Sequence, residues 1–484
     1  MNKAISFRQR LPNPSIYIVP PAVVTGFLWL TSPNDVSIIQ AAAGFVLILM
    51  PWLSYQRWRK LKQTEVPLFS MISGMYWLYY ALPLFWGDRY SVSMFKQGLD
   101  IPNDAITSSI ILAVVGVTAF WLGMRTRIGR RLVPRTIPDI PTNPMRWDWI
   151  RVLLIAGTFG SLSENALYSL GTGLSQLMLT LLTLVPLVCY AILFRNYLRG
   201  QATRGDKILL TFFLFLRFLI GMSSGWMGAL GFLMITTAAI YIYERKKFPV
   251  VFFSLMVVYV LFFQVGKFAM REKYWYDAEE GSKVERIALW AEESFKRWGE
   301  ALSDPTGEVG RNLAYTSLSR VSLLTQTANV IEMTPETVPY QYGYTYSYMF
   351  VAFIPRFVWP DKPSANDANR FYQVSYGITA EENLEFGSFA SGNLTEGYIN
   401  FGWIGGFGVM FLLGIFFDWF QWTFLTEASG YLLRGIGVAL LPYFLTIEAQ
   451  LAAYLGATLQ RVVLILLLMI PIIRFRKYHE RFFR

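Results

Sequence analysis

The chain has 484 residues, 54% of them hydrophobic and only 15% charged, with a formal net charge of +11. That balance excludes an ordinary soluble domain and selects an all-α polytopic membrane protein. A single cysteine, Cys189, and a single histidine, His479, exclude an internal disulfide, a Cys/His metal cluster and any exported Cys/His or Ser/His catalytic pair.

Apolar runs near twenty residues, each long enough to cross a hydrocarbon core of about 30 Å as a helix, recur along the chain. About twelve spans are predicted, at 15–32, 36–54, 66–86, 105–123, 150–166, 175–194, 208–224, 226–243, 249–266, 400–419, 435–452 and 458–473. The first contains Pro20 and Pro21, lacks a small-residue cleavage pattern and is followed by more membrane, so it is read as a retained helix. Cys189 falls inside the sixth run and reads as a packing residue.

Short cytoplasmic loops collect Lys and Arg. In an alternating topology, the segments 1–14, 55–65, 124–151, 195–207, 244–248, 420–435 and 474–484 hold 27 of the 43 basic residues and place both termini in the cytoplasm. The positive charge is therefore a topological signal facing anionic lipid, and nucleic-acid binding is not needed to explain it.

The expected organisation is an N-terminal bundle (1–266), one large exported loop (267–399) and C-terminal helices with a basic tail (400–484). The loop carries 12 basic and 18 acidic residues. A connection of that length implies a binding site or lid. Within it, 286–302 sets Ile287, Ala291, Phe295, Trp298 and Leu302 on one helical face, which suits a helix lying on the membrane or the bundle. The segment 311–333 has helical spacing, with Arg320 on a stripe with Thr316, Ser317 and Thr327; an arginine so placed is usually just solvated, and because the stripe is otherwise uncharged a ligand-binding role is the alternative. Tyr340, Tyr342, Tyr344, Tyr346 and Tyr348 alternate, which predicts an extended segment showing its rings to one side. They form either an interfacial belt or a platform for sugar rings.

The following stretch "MFVAFIP" is too short to span and is expected to dip into the interface or re-enter. Then "IPRFVWPDKPSANDANRF" (354–371) packs Arg356, Asp361, Lys362, Asp367 and Arg370 between prolines that hold them at the membrane surface. At the next span Gly402 and Gly406 form a GxxxG, which ordinarily serves close helix packing. Glu396, just before it, is a plausible proton acceptor.

Cations held at an exported lipid boundary suit a phosphate partner, since guanidinium offers a fork for bidentate bonds to anionic oxygens. The expected substrate is an undecaprenyl-diphosphate-linked oligosaccharide. Arg320, Arg356, Lys362 and Arg370, with Arg311 as an addition, are expected to contact phosphate or glycan; Trp359 and Tyr344 are expected to set depth and stack sugars. Glu396 is the first candidate general base, with Asp361 and Asp367 behind it; pairing such as Asp361 with Lys362 is the structural alternative for some of these charges. Such a transfer needs neither metal nor nucleotide cofactor.

These residues also resemble a family. "FIPRFVWPDKPS", "NDANRFYQVSYGI" and "LTEGYINFGWIGGFG" are similar to the signature region of Wzy-type oligosaccharide repeat unit polymerases, which include O-antigen, enterobacterial common antigen and exopolysaccharide polymerases. The resemblance covers about 311–410 in detail and reaches Arg320, Pro355, Trp359, Pro360, Lys362, Pro363, Asn369 and Gly402. It implies a GT-C-like fold in a bacterial inner membrane with the large loop periplasmic. It further implies block transfer of a growing glycan onto the next lipid-linked repeat, with a chain-length-determining co-polymerase and a flippase as partners. The chain departs from many relatives at "GMSSGWMG" (221–228), which lacks their arginine. A transporter or flippase for the same lipid, and a scaffold for exopolysaccharide export, are the competing readings; a transporter would carry charged groups at mid-membrane and internal repeats.

Overall fold

The computed structural model describes residues 15–478 except 33, 62–64, 87–100, 142–143, 161–171, 226, 277–280, 305–321, 353, 355–358, 360, 365 and 385–388. In chain order the main helices are α1 (Ser15–Leu30), α2 (Ile38–Lys60), α3 (Leu68–Trp86), α4 (Asn103–Arg125), α5 (Pro144–Gly160), α6 (Thr172–Leu198), α7 (Arg204–Ser223), α8 (Met227–Arg245) and α9 (Val250–Gln264). They continue with α10 (Lys267–Arg271), α11 (Lys283–Ser303), α12 (Leu324–Met333), α13 (Tyr344–Ala352), α14 (Asp367–Ser375), α15 (Asn393–Phe424), α16 (Gly430–Leu445) and α17 (Ala457–Met469). Two short strands, β1 (Thr136–Asp139) and β2 (Arg474–Lys477), pair antiparallel and join the loop before α5 to the C-terminal tail.

The protein is all-α in its bulk and spans the membrane. Among the described residues seven helices are long and apolar enough to cross, or eight if α9 and the helix after it, bent by 63°, count as one broken span. Each of the twelve expected runs overlaps a helix, but 15–32, 150–166, 208–224 and 226–243 do not give one of the seven, and 249–266 crosses only as part of the broken span.

Helix ends follow side-chain chemistry. α2 starts at a capping box, in which the Gln40 amide donates to Ser37 Oγ and the Ser37 amide to Gln40 Oε1, and it ends on Arg57, Arg59 and Lys60, where cations oppose the dipole. Thr203 with Asp206 and Ser282 with Glu285 open α7 and α11 the same way. No residue of α9 is fully buried, and most of its apolar surface is exposed, as suits lipid, while Phe262 and Phe263 pack against Phe295 and Trp290 of α11.

The core centres on α4 against α15. Gly123 and Gly414 meet where the two helices cross: a Cβ on Gly123 would run into the Phe411 carbonyl, and one on Gly414 into that of Phe120. Small residues here let two backbones touch, the device that holds helices together when lipid is as apolar as leucine. Around the crossing Phe120, Phe417, Phe420, Phe444 and Tyr454 pack edge to face.

Part of the segment expected as one exported loop packs into the bundle. Leu324, Ala328 and Val330 of α12 join the main core, the Leu323 amide donates to the Tyr79 carbonyl at 2.9 Å, and Ser109 donates to that of Leu324 at 2.8 Å. In α11 the expected apolar face is only half right. Trp290, Ser294 and Ala301 are the buried residues, with Trp290 Nε1 donating to Phe263 O, while Phe295 and Leu302 are exposed.

α15 is broken near its start. Phe401 leaves helical geometry and Gly402 adopts φ 61°, ψ −143°. The segment 393–400 folds back beside 402–410: Gly397 lies against Gly405, and Leu394 against the positions of Gly116 and Gly406. In a straight helix residues eight apart lie about 12 Å apart along the axis, so this contact requires a reversal. Two carbonyls at the break are met by the Gln341 amide on Ile399 O (3.0 Å) and the Tyr342 amide on Asn400 O (3.1 Å), which spares them the cost of an unpaired carbonyl inside the bundle. Gly402 thus serves a left-handed turn, and the GxxxG is not a plain packing face.

Candidate active site around Glu396

The folded-back half-helix carries Asn393, Thr395, Glu396 and Asn400, all fully buried. Glu396 Oε2 accepts the Leu451 amide at 2.7 Å. Oε1 is buried and takes no hydrogen bond, with the Thr345 hydroxyl and the Tyr346 phenol of α13 beside it. Asn400 ties the two segments together: its Oδ1 accepts the Gly343 amide at 2.8 Å, and its Nδ2 donates to Thr345 Oγ1 at 2.7 Å and to Glu396 O at 2.8 Å. Burial, then the neighbouring Glu396 carboxylate, push the Tyr346 hydroxyl above its ordinary pKa, so it stays a neutral donor.

Further polar groups surround this core. Thr395 and Thr327 share a hydrogen bond of 2.7 Å, and Thr327 another of 3.0 Å with Tyr80. Gln450 Nε2 donates to Ser391 Oγ and to Ala368 O. Asn393 Oδ1, Gln450 Oε1, Tyr346 Oη and Tyr372 Oη are buried without partners. So many unpaired groups in one region mark a place where water or a polar ligand belongs.

α13 separates this buried layer from the surface. It is helical where an extended segment was expected, because Tyr342 (φ 44°) and Gly343 (φ 95°) make a left-handed turn that starts it. The tyrosines therefore do not share one side. Thr345 and Tyr346 point inward, while Tyr344 and Tyr348 join hydroxyls outside at 2.8 Å, with Phe371 of α14 at 6.2 Å from Tyr344. Arg370 is 57% exposed there and lies 3.7 Å from Asp367.

Of the expected phosphate ligands, Arg311, Arg320 and Arg356 lie outside the described residues, as do Pro355 and Pro360. Lys362 is bound into the fold: Nζ donates to Val351 O at 3.2 Å and Ile354 O at 2.5 Å, capping the end of α13. Asp367 accepts the Ser364 amide at 2.8 Å and anchors the start of α14. Asp361 and Trp359 are exposed. Glu396, Tyr344, Asp367 and Arg370 thus fall on or under one two-helix patch, with Glu396 inside the bundle rather than just outside a span. Thr345 and Asn400 were not expected, and Tyr346 only as one ring of the tyrosine series; the only signal for Asn400 was its spacing from Asn393 and Glu396, one polar stripe on an apolar helix.

A family model described as Domain of unknown function (DUF8712) matches residues 107–444, from within α4 to the end of α16. No curated protein and no solved structure matches the chain.

Proposed function

Starting from a chain that belongs to this DUF8712 family, we propose that it is a membrane-embedded glycosyltransferase that extends an oligosaccharide carried on a polyprenyl diphosphate, with its site facing the exported side. The observation that supports this reading is the Glu396 carboxylate, one oxygen fixed and one unpaired, lying under a helix whose outer face offers Tyr344, Tyr348 and the neighbouring Arg370. In the proposed step an acceptor hydroxyl oxygen bonds to the anomeric carbon. The bond from that carbon to the diphosphate oxygen breaks, with its electron pair leaving on the phosphate. The hydroxyl proton passes to Glu396, while cations neutralise the departing diphosphate. Because Glu396 has no exposed surface, the proton arrives through the Thr345 hydroxyl or after α13 moves aside. The GT-C-like architecture, the co-polymerase and the flippase belong to the same proposal.

One observation favours the carrier alternative. Broken helices with buried polar groups are how transporters build substrate sites, and α15 is broken beside Glu396. The two readings part on bond cleavage. Purified protein in nanodiscs is given polyprenyl-diphosphate oligosaccharide, and ladder formation is followed together with release of free polyprenyl diphosphate. A ladder with matching release, lost in Glu396→Gln at unchanged melting temperature, is the expected result. Transfer of the lipid between leaflets with neither product would replace the enzyme by a carrier.

A further inference from the structure

A second polar site lies at the other end of α15 and α16, roughly 25 Å along α16 from the Glu396 end. Arg434, in the second turn of α16, is 2% exposed. Its Nε donates to the Thr426 carbonyl at 2.9 Å, and its guanidinium carbon sits 4.5 Å from the Tyr243 ring centre. Both terminal nitrogens, Nη1 and Nη2, are buried with no hydrogen-bond partner. Arg434 lines a narrow cleft between α6, α8 and α16 together with Arg195, Tyr243, Glu244 and Tyr431.

The nearby carboxylates are already engaged. Glu244 takes Arg195 at 2.6 Å and Arg199 at 2.8 Å. Glu427 takes Arg199 at 3.4 Å and the Tyr243 hydroxyl at 3.2 Å. Three guanidinium groups, those of Arg195, Arg199 and Arg434, thus share two carboxylates. An uncompensated guanidinium buried among helices is costly, and the aromatic face recovers only part of that cost. The two N–H groups at the end of the guanidinium fork can converge on a single anionic oxygen.

We infer that the Arg434 cleft binds a phosphoryl oxyanion, supplied by an anionic lipid headgroup or by free phosphate. The cleft has room for about one water-sized group, so a phosphoryl oxygen enters while the rest of the headgroup stays at the surface. Basic pockets between helices at a membrane face commonly take anionic headgroups in this way. The inference does not depend on the transfer chemistry proposed for Glu396.

The test uses the full chain in detergent, with phosphatidylglycerol, phosphatidylcholine and inorganic phosphate as separate probes. Native mass spectrometry and thermal melts would read binding to wild type, Arg434→Lys and Arg434→Gln. Expected is preferential retention of phosphatidylglycerol over phosphatidylcholine, or stabilisation by phosphate, with a loss of about tenfold in apparent affinity in Arg434→Gln and a smaller loss in Arg434→Lys. Phosphatidylglycerol binding that phosphate does not displace assigns the site to lipid; displacement by millimolar phosphate assigns it to the free anion. No anion preference in wild type, or equal binding in a folded Arg434→Gln, overturns the inference. If Arg434→Gln does not fold, hydrogen exchange on wild type decides. Ligand-dependent protection at 191–195 and 431–438 upholds the site, and protection confined elsewhere removes it.

Discussion

Asn400 satisfies three groups at once, the Gly343 amide, the Thr345 hydroxyl and the Glu396 carbonyl. Asn400→Ala strands buried partners, each worth about 1–3 kcal/mol. The expected result is a clear fall in melting temperature in detergent, larger than for removing the exposed Asp361 carboxylate. Lys362 offers a second contrast. A phosphate ligand should be dispensable for folding, but this side chain already donates to Val351 O and Ile354 O. Lys362→Met is therefore expected to destabilise by about 2 kcal/mol, read from the thermal melt in the absence of substrate. A melt identical to wild type would return Lys362 to the role of a free cation. Glu396 could be picked out of the sequence because a carboxylate at the head of an apolar helix is conspicuous. Thr345 could not, because its value comes from a partner 55 residues away, and single-sequence patterning carries no information on such pairings.

Glycines decide the shape of α15, and they do so in two distinct ways. Gly402 needs its positive φ and sits with the Tyr340 hydroxyl where a Cβ would go, at 2.9 Å; Gly414 needs only the absence of a side chain where α4 crosses. Gly414→Val should therefore disrupt the bundle and sharply reduce the yield of folded protein, whereas Gly408→Val, at a position with open space around it, should be near neutral. Comparable monodispersity of the two variants by size exclusion would argue against the close crossing. The spacing of Gly402 and Gly406 correctly marked a place where backbone matters. It pointed to packing because sequence spacing reports which residues share a helix face and is silent on a residue that ends the helix. The alternating tyrosines failed for a related reason: a period of two presumes a strand, and the left-handed turn at Tyr342 and Gly343 starts a helix instead.

At the scale of the whole molecule, hydropathy locates every long apolar helix but does not say which ones cross, since a buried core helix and a spanning helix are equally apolar. Charge is the independent signal, and it makes a sidedness prediction on which the proposed chemistry depends. The basic ribbon β1–β2 is expected inside, and α11, carrying Glu292, Glu293 and Glu300, outside. Cys189 is fully buried, so the wild-type chain should give little background with a membrane-impermeant maleimide. Val284 and Phe475 are each 75% exposed, and cysteines placed there report the two sides. In intact spheroplasts Val284→Cys should label at once, while Phe475→Cys should label only after permeabilisation. Reversed labelling would put the Tyr344 patch above Glu396 in the cytoplasm, where nucleotide sugars are available as donors. A lipid diphosphate would then lose its advantage as the leaving group, and the reading of Glu396 as its general base would fall with it.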